Sequence, residues 1–117
     1  MDVGILLGKT LTRVENIDDY EIIFTTDNGE VYKLYHEDDC CESVMVDDIC
    51  GDLPDLVGSP LVEAEESIGD FKYTDRYFDS VTWTFYRFRT AKGSVVIRWC
   101  GESNGYYSES VDFCKVS

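Results

Sequence analysis

Apolar and β-branched residues cluster early in the chain into two short runs. YEIIFTT (20–26) and VYKLYH (31–36) flank the polar stretch DNGE (27–30). Two β-rich runs around Asn28-Gly29 predict a hairpin, because that dipeptide accepts positive φ at both central positions of a tight primed turn. LTRVE (11–15) alternates and predicts a short strand, as does ESVMV (42–46). VDDICGDLPDLVGSP (46–60) is rich in turn residues. It predicts one short helix, with Asp47 or Asp48 as cap and Gly58 and Pro60 as stops. LVEAEE (61–66) fits a further strand.

The second half is more strongly patterned. VTWTFYRFRT (81–90) is almost wholly β-branched and aromatic. Strand periodicity puts Val81, Trp83 and Phe85 on one face and Thr82, Thr84, Tyr86 and Phe88 on the other. AKGS turns this strand into VVIRWC (95–100). GESNG turns again through Asn104-Gly105, and YYSESVDFCKV (106–116) returns. The expected product is a three-stranded antiparallel meander. Apolar runs on both faces predict a sheet covered on one side and partly occluded on the other. The expected architecture is one α+β, mainly β domain over residues 1–117, a curved antiparallel sheet with hairpins and one short helix.

Composition narrows the class. At 117 residues, 44% hydrophobic and 14% aromatic, the chain can bury a core without disulfides or metal. The opening MDVGILLGKT has no basic start, and its apolar run is too short for a signal or a membrane span. A cytoplasmic location is expected. Five cysteines are an odd count, and in a reducing compartment they are expected as free thiols. Cys50, Cys100 and Cys114 are expected as small buried hydrophobes.

Charge changes the picture most. Twenty-four acids against ten bases give a net charge of -14. Such a protein repels nucleic acid and anionic membranes. The segment from His36 to Asp70 holds twelve acids and no lysine or arginine. From Ser80 to Gly101 the balance inverts, with Arg87, Arg89, Lys92 and Arg98 and no acid. The expectation is an anionic half and a small cationic patch.

Three candidate chemistries follow. YHEDDCCES (35–43) holds the single histidine. His36, Cys40 and Cys41 supply three potential zinc ligands, but adjacent cysteines diverge on an extended chain, there is no Cys-x-x-Cys knuckle, and a fourth ligand must come from elsewhere. The plainer reading is a turn in which one cysteine packs inward and His36 caps a strand end. A calcium loop is not indicated, because neither DDICGDLPD nor HEDD has the alternating ligand pattern. A cysteine nucleophile is disfavoured by the surrounding acids, which raise a thiol pKa. The common enzyme motifs are absent, so no catalytic residue is assigned and a non-enzymatic protein is expected. The second candidate is an arginine-aromatic patch of Arg87, Arg89, Arg98, Trp99, Asn104, Tyr106 and Tyr107, able to stack a base and meet phosphates. The plainer reading there is a well-formed hairpin. The third is the acidic face itself, Glu37, Asp38, Asp39, Glu42, Asp47, Asp48, Asp52 and Asp55, whose carboxylates can mimic phosphates.

The runs GKTLTRVEN, FTTDNGEVYKLYHEDDCCESV, DICGDLPDLVGSPLVEAEE and WTFYRFRTAKGSVVIRWCGESNGYYSESVDF resemble a family of small phage-encoded proteins of unassigned function. The resemblance covers nearly the whole chain. It implies action inside a bacterial host, where small accessory phage proteins mostly act by binding. The leading expectation is a counter-defence inhibitor of the acidic anti-CRISPR kind. Its acidic face would block a nucleic-acid-binding host defence protein without touching nucleic acid or membrane. One alternative is a sponge for a nucleotide-derived signal, which predicts an oligomer with pockets at subunit interfaces. The other is a protein stabilised by zinc.

Overall fold

The computed structural model describes residues 2–37, 42–71, 80–103 and 109–117. Eight strands form two antiparallel sheets of four. The first sheet has the order β1-β2-β3-β8, with β1 at Leu11–Ile17, β2 at Glu21–Thr26, β3 at Val31–Tyr35 and β8 at Asp112–Lys115. The second has the order β4-β7-β6-β5, with β4 at Ser43–Cys50, β5 at Glu63–Phe71, β6 at Ser80–Thr90 and β7 at Gly93–Ser103.

Alternation builds both layers. In β2 and β3, Ile22, Phe24, Tyr32 and Leu34 are buried while their neighbours are half exposed. In β7, Val95, Ile97 and Trp99 are fully buried. The inner faces meet in one core, where Phe24 packs on Phe88 across the layers with ring centroids 5.3 Å apart. Phe113 of β8 stacks on Tyr32 at 5.6 Å.

Several expectations need correction. Two facing sheets replace a single curved one. No α-helix occurs among the described residues. The segment 46–60 contributes instead a four-residue 3-10 turn, Leu53–Leu56, flanked by Asp52. Asp47 and Asp48 lie in β4 and do not cap a helix. The chain after β7 does not return beside it, because β8 pairs with β3 of the other sheet. The four-residue β8 forms an edge of the first sheet instead.

The turns also exchange roles. The β2–β3 hairpin forms as expected, but at its tip only Gly29 has positive φ, at 88°. The Gly29 N–H donates to the Thr26 carbonyl at 3.1 Å and the Thr26 N–H to the Glu30 carbonyl at 2.8 Å, which makes a three-residue loop. The primed turn lies between β1 and β2, where Asp18 and Asp19 have φ of 52° and 65°. The Tyr20 N–H closes it on the Ile17 carbonyl at 3.0 Å. Aspartate tolerates this left-handed region because its short side chain bonds locally; here Asn16 and Asp19 bond each other twice, at 2.8 and 2.9 Å. Two glycines are required by packing: a Cβ on Gly101 would lie 2.6 Å from the Glu109 carbonyl oxygen, and one on Gly51 would lie 2.5 Å from the Ser94 carbonyl oxygen.

Two stability outcomes follow. Phe24→Ala should lower unfolding stability by about 3–5 kcal/mol, read as a urea midpoint shift at constant slope. Asp18→Val should cost about 1–2 kcal/mol through left-handed backbone strain, whereas Asp18→Asn should be close to neutral.

Candidate functional site

β-Strand pairing decides where the charges go. The acid-rich β5 runs antiparallel to the arginine-bearing β6, in the register Glu63↔Arg89 and Glu65↔Arg87. The Glu63 carboxylate meets Arg89 Nε at 3.3 Å and Arg87 Nε at 3.9 Å. β4 pairs with β7, and a register shift between Val46 and Asp48 brings Asp47 to Arg98. Arg98 Nε donates to Asp47 Oδ2 at 2.8 Å, and the guanidinium lies over the Trp83 ring at 5.1 Å. The hydrogen bond to Asp47 raises the Arg98 pKa further. The sequence's anionic and cationic stretches are thus neighbouring strands of one sheet, and they neutralise each other in place.

The same holds elsewhere. Lys9 reaches Glu30 at 3.0 Å and Lys115 reaches it at 3.1 Å. Arg13 pairs with Glu15, and Lys33 approaches Glu21 at 3.9 Å. Lys92 Nζ donates to the Val57 carbonyl at 2.8 Å. Every described lysine and arginine therefore has a carboxylate or carbonyl oxygen of the chain within 4 Å. The exposed carboxylates of Asp18, Asp19, Asp48, Asp52, Glu65 and Glu66 form no ion pair with a described lysine or arginine, although Asp48 stands opposite Arg98 and adds to the field that raises its pKa.

Four of these acids, Asp18, Asp19, Glu65 and Glu66, are not among the acidic-face candidates of the sequence, and the first two lie outside its acidic segment altogether. The Val46 N–H of β4 donates to the Asp19 carbonyl at 2.7 Å. That bond seats the Asp18-Asp19 turn against the strand carrying Asp47 and Asp48. Ile17 and Tyr20 flank the turn and are exposed. Positions 18 and 19 precede the long acidic segment, so charge counting alone passed them over.

Of the remaining acidic-face residues, Glu37 is exposed and its N–H donates to Asp112 Oδ2 at 3.3 Å. Asp52 is exposed, and Asp55 is half buried beside the β6–β7 turn, where Gly93 gives it room. Glu42 has left the acidic face altogether. Its side chain is fully buried and accepts from or donates to His36 Nε2 at 2.9 Å. His36 Nδ1 lies 2.7 Å from the Ser110 carbonyl. A carbonyl only accepts, so Nδ1 carries a hydrogen. His36 ties the end of β3 to the start of β4 and to the approach of β8. Zinc at Nε2 would have to displace Glu42. Asp38, Asp39, Cys40 and Cys41 lie outside the described residues.

The arginine-aromatic patch is rearranged. Trp99 is fully buried in the core and faces away from Arg98, as adjacent strand residues must. Its place on the outer face is taken by Trp83 and Phe85, half buried, with Phe85 directly across from Arg98. A shallow cleft of about 200 Å³ lies there, lined by Glu65, Ser67, Phe85, Arg87 and Val96. Strand parity was the signal that could have found Trp83 and Phe85. Asn104, Tyr106 and Tyr107 lie outside the described residues. The cysteine expectation also fails in part: Cys50 is exposed, and Cys100 and Cys114 are half buried.

The fold and surface define a two-layer antiparallel β protein whose described cations are all held internally. The family model described as a domain of unknown function (DUF7448) matches residues 5–113, and the chain belongs to that family. No curated protein and no solved structure shows significant similarity to it. No described helix is long and apolar enough to cross a membrane.

Glu30 is held at a pKa of about 2 by hydrogen bonds from Lys9, Lys115 and Tyr32, well below an ordinary carboxyl near 4.5. Its contribution to stability is complete above about pH 4.5 and is lost as pH falls through 2. Acid titrations of unfolding should therefore slope downward across that window, and Glu30→Gln should flatten the slope. Burial and the neighbouring Glu102 push the Cys100 thiol up to about 12. Site-resolved alkylation at neutral pH should leave Cys100 largely unmodified while the exposed Cys50 reacts, because the thiolate is the reactive form.

Proposed function

We propose that this chain is a non-catalytic binding protein that docks, through its surplus carboxylates, onto a basic surface of a nucleic-acid-binding protein. One observation carries the reading. The described lysines and arginines have internal partners, while Asp18, Asp19, Asp48 and Asp52 are exposed and form no ion pair with a described cation. Such a surface attracts cationic partners at long range and repels polyanions. Exposed Ile17 and Tyr20 beside the acidic turn add apolar contact area, and an aromatic amid charged groups is a common anchor at interfaces. The resemblance to small phage-encoded proteins makes a bacterial counter-defence inhibitor, acting in the host cytoplasm, the specific form of this proposal. The nucleotide-sponge alternative is less well supported, because Arg87, Arg89 and Arg98 already face carboxylates.

The test is retention of bacterial proteins on the immobilised chain after nuclease treatment, followed by elution with duplex DNA. A nucleic-acid-binding protein should elute with DNA and with moderate salt. The quadruple variant Asp18→Asn, Asp19→Asn, Asp48→Asn, Asp52→Asn should lose it, since asparagine keeps the left-handed turn and removes the charge. Equal retention by that variant would contradict the proposal.

A further inference from the structure

Sheet edges expose unpaired backbone groups that invite another strand, and proteins usually blunt them. Three of the four edges here are blunted. β1 shifts register between Leu11 and Arg13, and its Leu11 carbonyl accepts from the Gly58 N–H at 2.9 Å. β4 shifts register between Val46 and Asp48 and donates to the Asp19 carbonyl. β8 is four residues long. β5 differs. Within its sheet it borders β6 alone and pairs with it without a register shift over nine residues, Glu63–Phe71, with the 3-10 turn Val3–Leu6 packed near it. Its far side has no backbone partner among the described residues.

The side chains of β5 say what fits this edge. Glu66 and Ile68 stand opposite the buried Tyr86 and Thr84, on the inner face of the sheet, yet both are exposed, Ile68 at 58%. The first sheet does not reach that far. A cleft of about 430 Å³ opens beside the strand, lined by Asp2, Ala64, Glu65 and Glu66. Ala64 leaves room in it, and the buried Tyr86 hydroxyl donates to Glu66 Oε2 at 2.8 Å, which fixes that carboxylate in position. A second copy of the chain is a poor occupant. Edge-to-edge pairing of two β5 strands would crowd Glu65 and Glu66 of both copies together, and like charges across a ladder destabilise it. A cationic strand turns the same repulsion into attraction.

We infer that β5 is a docking edge for an extended basic segment of a partner protein. The segment joins the second sheet as a fifth strand, places a lysine or arginine side chain in the cleft at Ala64 and Glu66, and lays an apolar residue on Ile68. Backbone bonds supply affinity and the alternating side chains supply selectivity, as in other strand additions. The inference rests on the surplus carboxylates being a partner surface and names how one part of that surface engages.

The probe is the ten-residue peptide KTVTKTVTKT, which carries lysine and valine in turn on one strand face and threonine on the other, compared with its counterpart bearing glutamate in place of lysine, with amide exchange of the full chain followed residue by residue. The lysine peptide should slow exchange about tenfold or more at alternate amides of β5, where the outward N–H groups gain partners. The glutamate peptide should not. Glu65→Gln with Glu66→Gln should weaken the lysine peptide several-fold while the Tyr86 hydroxyl keeps its acceptor. Protection centred on Asp18–Tyr20 and Val46–Asp48 would overturn the edge inference and leave the acidic-surface proposal standing. Equal binding of both peptides, self-association through β5, or no protection of β5 at all would each overturn the inference.

Discussion

Everything else in this molecule depends on two four-stranded sheets burying their inner faces against each other. Phe24 on Phe88 is the contact at the centre, with Tyr32, Phe113 and Tyr86 around it. Neither sheet could stand alone in water with such a face exposed. Once the layers are clamped, alternation sends every second residue outward. The outer residues are then free to carry charge, and the chain uses that freedom heavily.

Pairing rules govern those charges. An acid-rich stretch followed by a base-rich stretch looks, in a linear sequence, like two opposed surfaces. In an antiparallel sheet the same stretches become adjacent strands, so Glu63 lies beside Arg87 and Arg89, and Asp47 beside Arg98. Exposed pairs of this kind add little stability. Their consequence is for the surface: the described arginines lie beside carboxylates, and further carboxylates stay exposed without an ion pair.

The strands were legible because alternation is a local signal. Glu21–Thr26, Val31–Tyr35 and the β6–β7 hairpin were expected near their observed positions. The partner of β8 was not legible, because nothing local in DFCK distinguishes β7 from β3 as its neighbour. The Asn28-Gly29 rule predicted the right hairpin and the wrong turn, while Asp18-Asp19 adopted the primed geometry without a glycine to announce it. Of the candidate residues, Trp99 was misplaced although strand parity with Arg98 already forbade a shared face. Glu42 was misplaced for a different reason. Only the fold brings His36 within reach of it and turns a surface acid into a buried partner.

The central claim is that the described cations are spent internally and that the proposed partner surface is the anionic surplus. Native mass spectrometry of the chain purified from a bacterial host, before and after denaturation, tests this most directly. The account predicts a species that releases no nucleotide or other anionic small molecule on denaturation, and whose bound mass, where present, is a basic protein. A stoichiometric nucleotide released from the chain would contradict it, because that ligand's phosphates would require arginines the structure has already paired.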